Sequence, residues 1–185
     1  MAASTPTVTR AVSLGSSGST ASSVTKAAAT APGKGTLGAA AATGVRVFSA
    51  TSSQGLLYAM EMLYTVSGWR APFVLVNVSR GLASPITLER DHNDILAARD
   101  SGFLQLHCAS CQEITDSVLM AYRLAEHKHV RLPVIVNQDG FYLSFTREPV
   151  DLPDAEKAAA FVGAFDPENI QFKSGAPLSQ AMSVL

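Results

Sequence analysis

Four short segments of this chain carry side chains that could do chemistry, and each also has a plain structural use. Arg80 follows the apolar run Phe73–Val78 and Ser79, and precedes Gly81. A guanidinium at a strand mouth is a rigid two-pronged donor that matches a carboxylate; the plain alternative is a surface or interface ion pair. Thr51-Ser52-Ser53-Gln54-Gly55 places small hydroxyl residues at a helix start. They either cap free backbone N–H groups or contact an anionic or heteroaromatic ligand, and Gly55 allows close approach. Asp91-His92-Asn93-Asp94 has metal-ligand residue types without a second ligand set, so helix capping is the reading and no metal is assigned. Cys108-x-x-Cys111 lies between a strand and a helix, the arrangement of a thioredoxin-type dithiol. It lacks a Trp beside the pair and an identifiable cis-Pro strand, which leaves two unpaired thiols near a helix start as the alternative. Gly33-Lys34-Gly35-Thr36 is not a phosphate-binding loop, and there is neither a G-x-S-x-G elbow nor a G-x-G-x-x-G after a strand.

These segments depend on the elements that carry them. Val45–Ala50, Phe73–Val78, Phe103–His107 and Leu132–Val136 read as strands. Helical patterns cover Gln54–Ser67, Asn93–Asp100, Gln112–Lys128 and Asp154–Phe165, the last behind Pro153 and followed by an extended tail. Strand and helix alternate, and the strands are continuously apolar, as strands buried on both faces are. The expected fold is an α/β open parallel sheet with helices on both faces. Ligands of such sheets sit beyond the carboxyl ends of the strands. Thr51–Gly55, Ser79–Gly81, Cys108–Cys111 and Asn137–Gly140 would then share one rim.

Composition sets bounds. The chain has 185 residues, 47% hydrophobic and 16% charged, with a net charge of −1. That suits one globular domain with part of its surface in a subunit contact. It gives no general attraction for nucleic acid or anionic lipid. No apolar run reaches the roughly 20 residues of a transmembrane helix. Two cysteines do not make a disulfide framework and fall short of the roughly four thiolates of an iron–sulfur cluster. The default compartment is the cytoplasm, or an organelle matrix. Residues 1–44 are rich in Ala, Ser, Thr and Gly, and no acidic residue precedes Glu61. A disordered low-complexity leader is the preferred reading, a transit peptide the alternative. The expected organisation is leader 1–44, α/β domain 45–152, and a C-terminal helix and tail 153–185.

From Gly44 onward the sequence resembles the pyrimidine-binding domain of the pyruvate and 2-oxoacid:ferredoxin (flavodoxin) oxidoreductases. The blocks that carry the resemblance are Arg46–Leu57 (RVFSATSSQGLL), Asn77–Ala83 (NVSRGLA), Asp91–Phe103 (DHNDILAARDSGF), Gln112-Glu113, and Leu132–Ser144 with Glu148-Pro149. The resemblance implies the fold of thiamine diphosphate-binding pyrimidine domains, lacking its first strand and helix and incomplete at both ends. It implies oxidative decarboxylation of a 2-oxoacid, pyruvate first, to an acyl-CoA on thiamine diphosphate shared with a β-type diphosphate-binding subunit or domain. Ferredoxin or flavodoxin and coenzyme A would be served by the complex, with Mg2+ and iron–sulfur clusters on other domains or subunits. By similarity Arg80 binds the 2-oxoacid carboxylate. Thr51, Ser52, Ser53, Gln54 and Gly55 line the pyrimidine side of the cleft, and Asp91, His92 and Asp94 support the site and the subunit contact.

Two family features have no counterpart here. One is a Tyr-Pro-Ile-Thr-Pro turn that touches the substrate; the other is a glutamate that hydrogen-bonds the aminopyrimidine. The alternatives to a catalytic subunit or fragment are a catalytically inactive interaction domain of the same fold and a Cys108/Cys111 dithiol redox protein.

Overall fold

The computed structural model describes residues 8–9, 27–28, 31–83 and 87–165, with side chains described from Leu37 onward. A short antiparallel pair, β1 (Val8–Thr9) with β2 (Ala27–Ala28), precedes helix α1 (Ala31–Ala42). Then come β3 (Phe48–Thr51), α2 (Gln54–Tyr58), α3 (Met60–Gly68), β4 (Val74–Ser79) and α4 (Asn93–Ala97). A 3-10 turn (Arg99–Ser101), β5 (Leu104–His107), α5 (Cys111–Ala125), β6 (Val134–Asp139) and α6 (Ala155–Val162) follow. The four longer strands form one parallel sheet in the order β3-β4-β6-β5. This is the open parallel α/β sheet that the alternation of apolar runs and amphipathic helices predicts.

The run Val74-Leu75-Val76 and the run Val134-Ile135-Val136 are buried on both faces, which is why they show no polar alternation. Phe73, Leu75 and Ile135 face Leu37 of α1, Leu63 and Val66 of α3, and Ile95 of α4. Val74, Val76, Val134 and Val136 face Ala121, Tyr122 and Ala125 of α5 and Val162 of α6. Arg46 ties the second layer to the sheet. It pairs through Nε and Nη2 with both carboxylate oxygens of Glu126, at 2.6 and 2.7 Å, and donates to Gly163 O at 2.6 Å. The Tyr122 hydroxyl donates to Val47 O at 3.2 Å, and burial pushes its pKa upward.

Three sequence expectations change. The stretch 1–44 is not uniformly a disordered leader, because α1 lies within it and buries Leu37, Ala41 and Ala42 at 5%, 1% and 1% exposure. An alanine-rich run has high helix propensity, and its small side chains let the helix approach α3 closely. Gly38 marks the closest point, where a Cβ would lie 2.4 Å from Val66 Cγ2. The domain described therefore has a helix before β3, and the expected boundary at 44 falls just past the end of that helix. The rest of the expected leader, other than β1 and β2, and the expected tail beyond 165 lie outside the described residues. Likewise α6, expected beyond the domain, packs Val162 into the core against α5. The single helix expected over Gln54–Ser67 is broken at Ala59, with φ −95° and ψ 6°. The bonds Gly55 N–H to Ser52 O, Leu56 N–H to Ser53 O and Ala59 N–H to Leu56 O span three residues, so the first turn is wound too tightly to run on as one α-helix.

Candidate functional site

The strands are in register, so Thr51, Asn77, Asn137 and His107 form one row across the carboxyl end of the sheet. Asn77, Ser79 and Asn137 are at most 1% exposed. Buried polar groups must be paired, and these pair with one another and with Asp94 of α4, which is 0% exposed. Asn77 Nδ2 donates to Asn137 Oδ1 at 2.9 Å and to Asp94 Oδ2 at 3.1 Å. The Ser79 hydroxyl lies 2.8 Å from both Asp94 Oδ1 and Asn137 Oδ1. The strand tips are thus held by a buried polar network, in which Asn77 Oδ1 is left without a partner.

Above this network the β3 turn leans on β4. Ser53 has φ 48° and ψ −117°, a left-handed conformation that costs a serine about 1–3 kcal/mol. It is fixed twice: its N–H donates to Asp94 Oδ2 at 3.0 Å, and its hydroxyl to Gly81 O at 2.9 Å. The Ser52 hydroxyl donates to Val78 O at 2.7 Å and accepts from Arg80 Nε at 3.0 Å. Arg80 is half-buried, and its Nη1 is buried without a partner. Gln54 Nε2, also in the β3 turn, is buried without a partner as well. A Cβ on Gly55 would come within 2.6 Å of Thr51 Oγ1, so glycine is what lets this turn close. The rim therefore offers buried donors from two adjacent strand ends, an arrangement suited to an anionic ligand.

The Asp91–Asp94 segment divides its work. Asp91 Oδ1 accepts from Asn93 N–H at 2.7 Å, a helix-start contact. His92 Nε2 lies 2.5 Å from Asp139 Oδ1 at the end of β6. Arg90, Asp91, His92, Asn93, Leu96 and Asp139 line an open hollow there. Asp94 alone of the segment enters the buried network. The His107 ring stands 6.1 Å from that of His92; burial, then His92, push its pKa down against Asp139. Among the described residues no group of three or more His, Cys, Asp or Glu is placed to hold a metal.

Cys108 and Cys111 are free thiols, and their surroundings oppose the thiolate. Burial pushes Cys108 up, as does Glu113, against a hydrogen bond from Ser117. Burial, then Glu148, push Cys111 up. The start of α5 is already taken: Cys111 N–H donates to Glu148 Oε2 at 3.1 Å and Ala109 N–H to Glu113 Oε2 at 2.7 Å, while Ser110 Oγ accepts from Glu113 N–H at 3.2 Å. A reactive dithiol needs the opposite electrostatics.

The structure brings Ser52, Ser53, Arg80 and Asp94 together at the ends of β3 and β4, and places Cys108 and Cys111 after β5, at the other edge of the same end of the sheet. Sequence reasoning did not single out Asn77 and Asn137 as a pair. The available signal was an asparagine at the same place in two valine-rich runs.

The family model described as "Pyruvate flavodoxin/ferredoxin oxidoreductase, thiamine diP-bdg" matches residues 9–184. Pyruvate synthase subunit PorA of Methanocaldococcus jannaschii is 45% identical over 141 residues, which is 76% of this chain and 36% of the relative. Ketoisovalerate oxidoreductase subunit VorA of Pyrococcus horikoshii is 43% identical over 123 residues, covering 66% of this chain and 31% of the relative. The chain spans about a third of the length of these curated relatives. Among solved structures, 2-oxoglutarate:ferredoxin oxidoreductase from Magnetococcus marinus superposes with a TM-score of 0.52 at 27% identity, over 59% of this chain and 20% of that one.

Proposed function

This chain belongs to the pyruvate flavodoxin/ferredoxin oxidoreductase family, in its thiamine diphosphate-binding part, and we propose that it supplies the pyrimidine-side half of a 2-oxoacid:ferredoxin oxidoreductase active site. The observation that carries the reading is Arg80. Its Nε is fixed by Ser52 while Nη1 is buried and unpartnered, so the guanidinium is oriented and has capacity left for a carboxylate. The relatives named above all carry a 2-oxoacid in their names, and pyruvate is the first substrate to test.

Thiamine diphosphate fits this rim as a ring to be held, not as a ring to be activated. The unpartnered Gln54 Nε2 would meet a ring acceptor, and the Thr51–Gly55 turn would line its edge. Among the described residues no carboxylate stands free at this rim to protonate and deprotonate the ring. All four contacts to Asp94 already come from donors, and Glu61, the first acidic residue of the chain, is exposed on α3. No proton step on the cofactor is assigned to these residues. The bound cofactor supplies the electron sink for decarboxylation. Arg80 would hold the substrate carboxylate, Ser52 would keep the guanidinium aimed, and the Asn77–Ser79–Asp94–Asn137 network would keep the strand tips fixed. Mg2+, iron–sulfur clusters and the diphosphate would sit on a β-type partner, with ferredoxin or flavodoxin and coenzyme A served by the assembled complex. Among the described residues no helix is long and apolar enough to cross a membrane, and the cytoplasm is the proposed compartment.

The test mixes the purified chain with the diphosphate-binding partner and thiamine diphosphate, and follows pyruvate- and coenzyme A-dependent dye reduction. Turnover that neither protein gives alone, lost in Arg80→Ala, is the expected result. Assembly without turnover would leave an interaction domain that keeps the fold and not the chemistry. Neither assembly nor turnover would end the enzyme reading.

A further inference from the structure

Asp94 is a fully buried carboxylate, and among the described residues no ion pair joins it to a lysine or arginine. Such a charge is costly to hide, and it is held here only by neutral donors. Those donors come from three elements. Oδ2 accepts from Ser53 N–H in the β3 turn at 3.0 Å and from Asn77 Nδ2 in β4 at 3.1 Å. Oδ1 accepts from the Ser79 hydroxyl at 2.8 Å and from Ile95 N–H in α4 at 2.7 Å. Each oxygen therefore faces one backbone N–H, which cannot turn round to accept. A leucine would fill the same space and serve packing alone, but it would leave both N–H groups orphaned.

From Asp94 the contacts lead outward to the site. Asp94 holds the strained Ser53 backbone, the Ser53 hydroxyl reaches Gly81 O at 2.9 Å, and the adjacent Ser52 hydroxyl accepts Arg80 Nε at 3.0 Å. We propose that Asp94 is the positioning residue of the 2-oxoacid site: it fixes the Ser53 backbone, and through Ser52 it sets the direction of the Arg80 guanidinium. The link to the 2-oxoacid rests on the reading of Arg80 given above; the link from Asp94 to Arg80 does not.

The discriminating substitutions are Asp94→Asn and Asp94→Leu. Asp94→Asn keeps the volume, yet in either orientation its amide NH2 meets a backbone N–H, that of Ser53 or that of Ile95. Amide hydrogen exchange on the full chain reads the consequence directly. In the wild type the Ser53 N–H is expected to be protected, although no regular helix or strand bond holds it. In Asp94→Asn only the N–H that meets the new amide, that of Ser53 or that of Ile95, loses its acceptor, whereas in Asp94→Leu both lose it. Ser53 N–H exchange should therefore speed up roughly tenfold or more in Asp94→Leu, the worth of one lost hydrogen bond to a charged group. The 15N–1H signal of Arg80 Nε should shift or broaden, while the Leu75 and Ile135 amides of the sheet keep their protection. In the assembled complex Asp94→Leu should raise KM for pyruvate more than it lowers kcat. Equal loss of protection at Ser53, Leu75 and Ile135 would make Asp94 a general stabiliser and overturn the proposal. Should Asp94→Leu not fold, the wild-type measurement decides: a Ser53 amide that exchanges as fast as an open loop sinks it. A complex with no 2-oxoacid turnover removes the enzyme reading and leaves the exchange result standing, so the two failures are told apart.

Discussion

Arg80 commits Nε–H to Ser52 and keeps Nη1 buried without a partner. A lysine at this position would keep the charge but lose the planar fork that grips a carboxylate at two points. Arg80→Lys is therefore expected to raise KM for the 2-oxoacid roughly 10- to 100-fold in the assembled complex, the worth of one charge-assisted hydrogen bond. Steady-state kinetics with pyruvate check this, and an unchanged KM would move the carboxylate elsewhere. The cysteines make the opposite kind of prediction. Burial raises both thiol pKa values above their ordinary 9.0, so the reactive thiolate is scarcer at pH 7 than in a free cysteine. Alkylation of the native chain should be slower than that of an unstructured cysteine peptide at pH 7 and should quicken as pH rises past about 9. Rapid labelling of both at neutral pH would reopen the dithiol reading.

At the scale of elements, α1 carries the sharpest prediction. Leu37→Ala removes a buried side chain from the layer shared with Val66 and Phe73 and should cost about 2–4 kcal/mol in denaturant unfolding. Gly38→Val should cost stability for the opposite reason, since a Cβ already meets Val66 at 2.4 Å. If neither moves the unfolding midpoint, α1 is not packed on the sheet. The helix was hard to read in the sequence because alanines and glycines that pack closely look the same as alanines and glycines that pack on nothing. The central strands were legible for the converse reason: runs such as Val74-Leu75-Val76 have no use except between two covered faces. Their ends were less so. β4 runs one residue past the expected Val78, to Ser79, and β6 runs on through Asn137–Asp139, because backbone pairing continues past the point where side chains turn polar. The resemblance named Asp94 as a support of the site, but its partners were out of reach of any local pattern. Its partners Ser53 and Asn77 lie 41 and 17 residues away, and only the parallel register brings them to one point.

At the scale of the whole molecule, the rim beyond the strands is left apolar as well as polar. Phe141, Tyr142 and Phe145 are 49%, 56% and 70% exposed on the turn after β6, with Leu88 and Leu96 exposed nearby in the chain segment that flanks the hollow. Phe141 holds a left-handed φ of 60°, and its N–H donates to Ser144 Oγ at 2.9 Å, so this turn has a definite shape. The Arg90 guanidinium sits 5.1 Å from the centre of the Tyr142 ring. Exposed aromatics gathered beside buried, unpartnered donors describe a surface suited to being covered. In the family reading the cover is the diphosphate-binding partner, which would exclude water from Arg80 as it docks. Because Phe145 is mostly in solvent, Phe145→Ser should leave the thermal unfolding of the isolated chain nearly unchanged. It should weaken association with that partner roughly tenfold or more, as loss of an aromatic anchor does. A thermal melt of the isolated chain checks the first half, and titration calorimetry of the pair checks the second. An unchanged Kd would place the partner on another side of the sheet, and Arg80 would then need a different lid to work in a dry site.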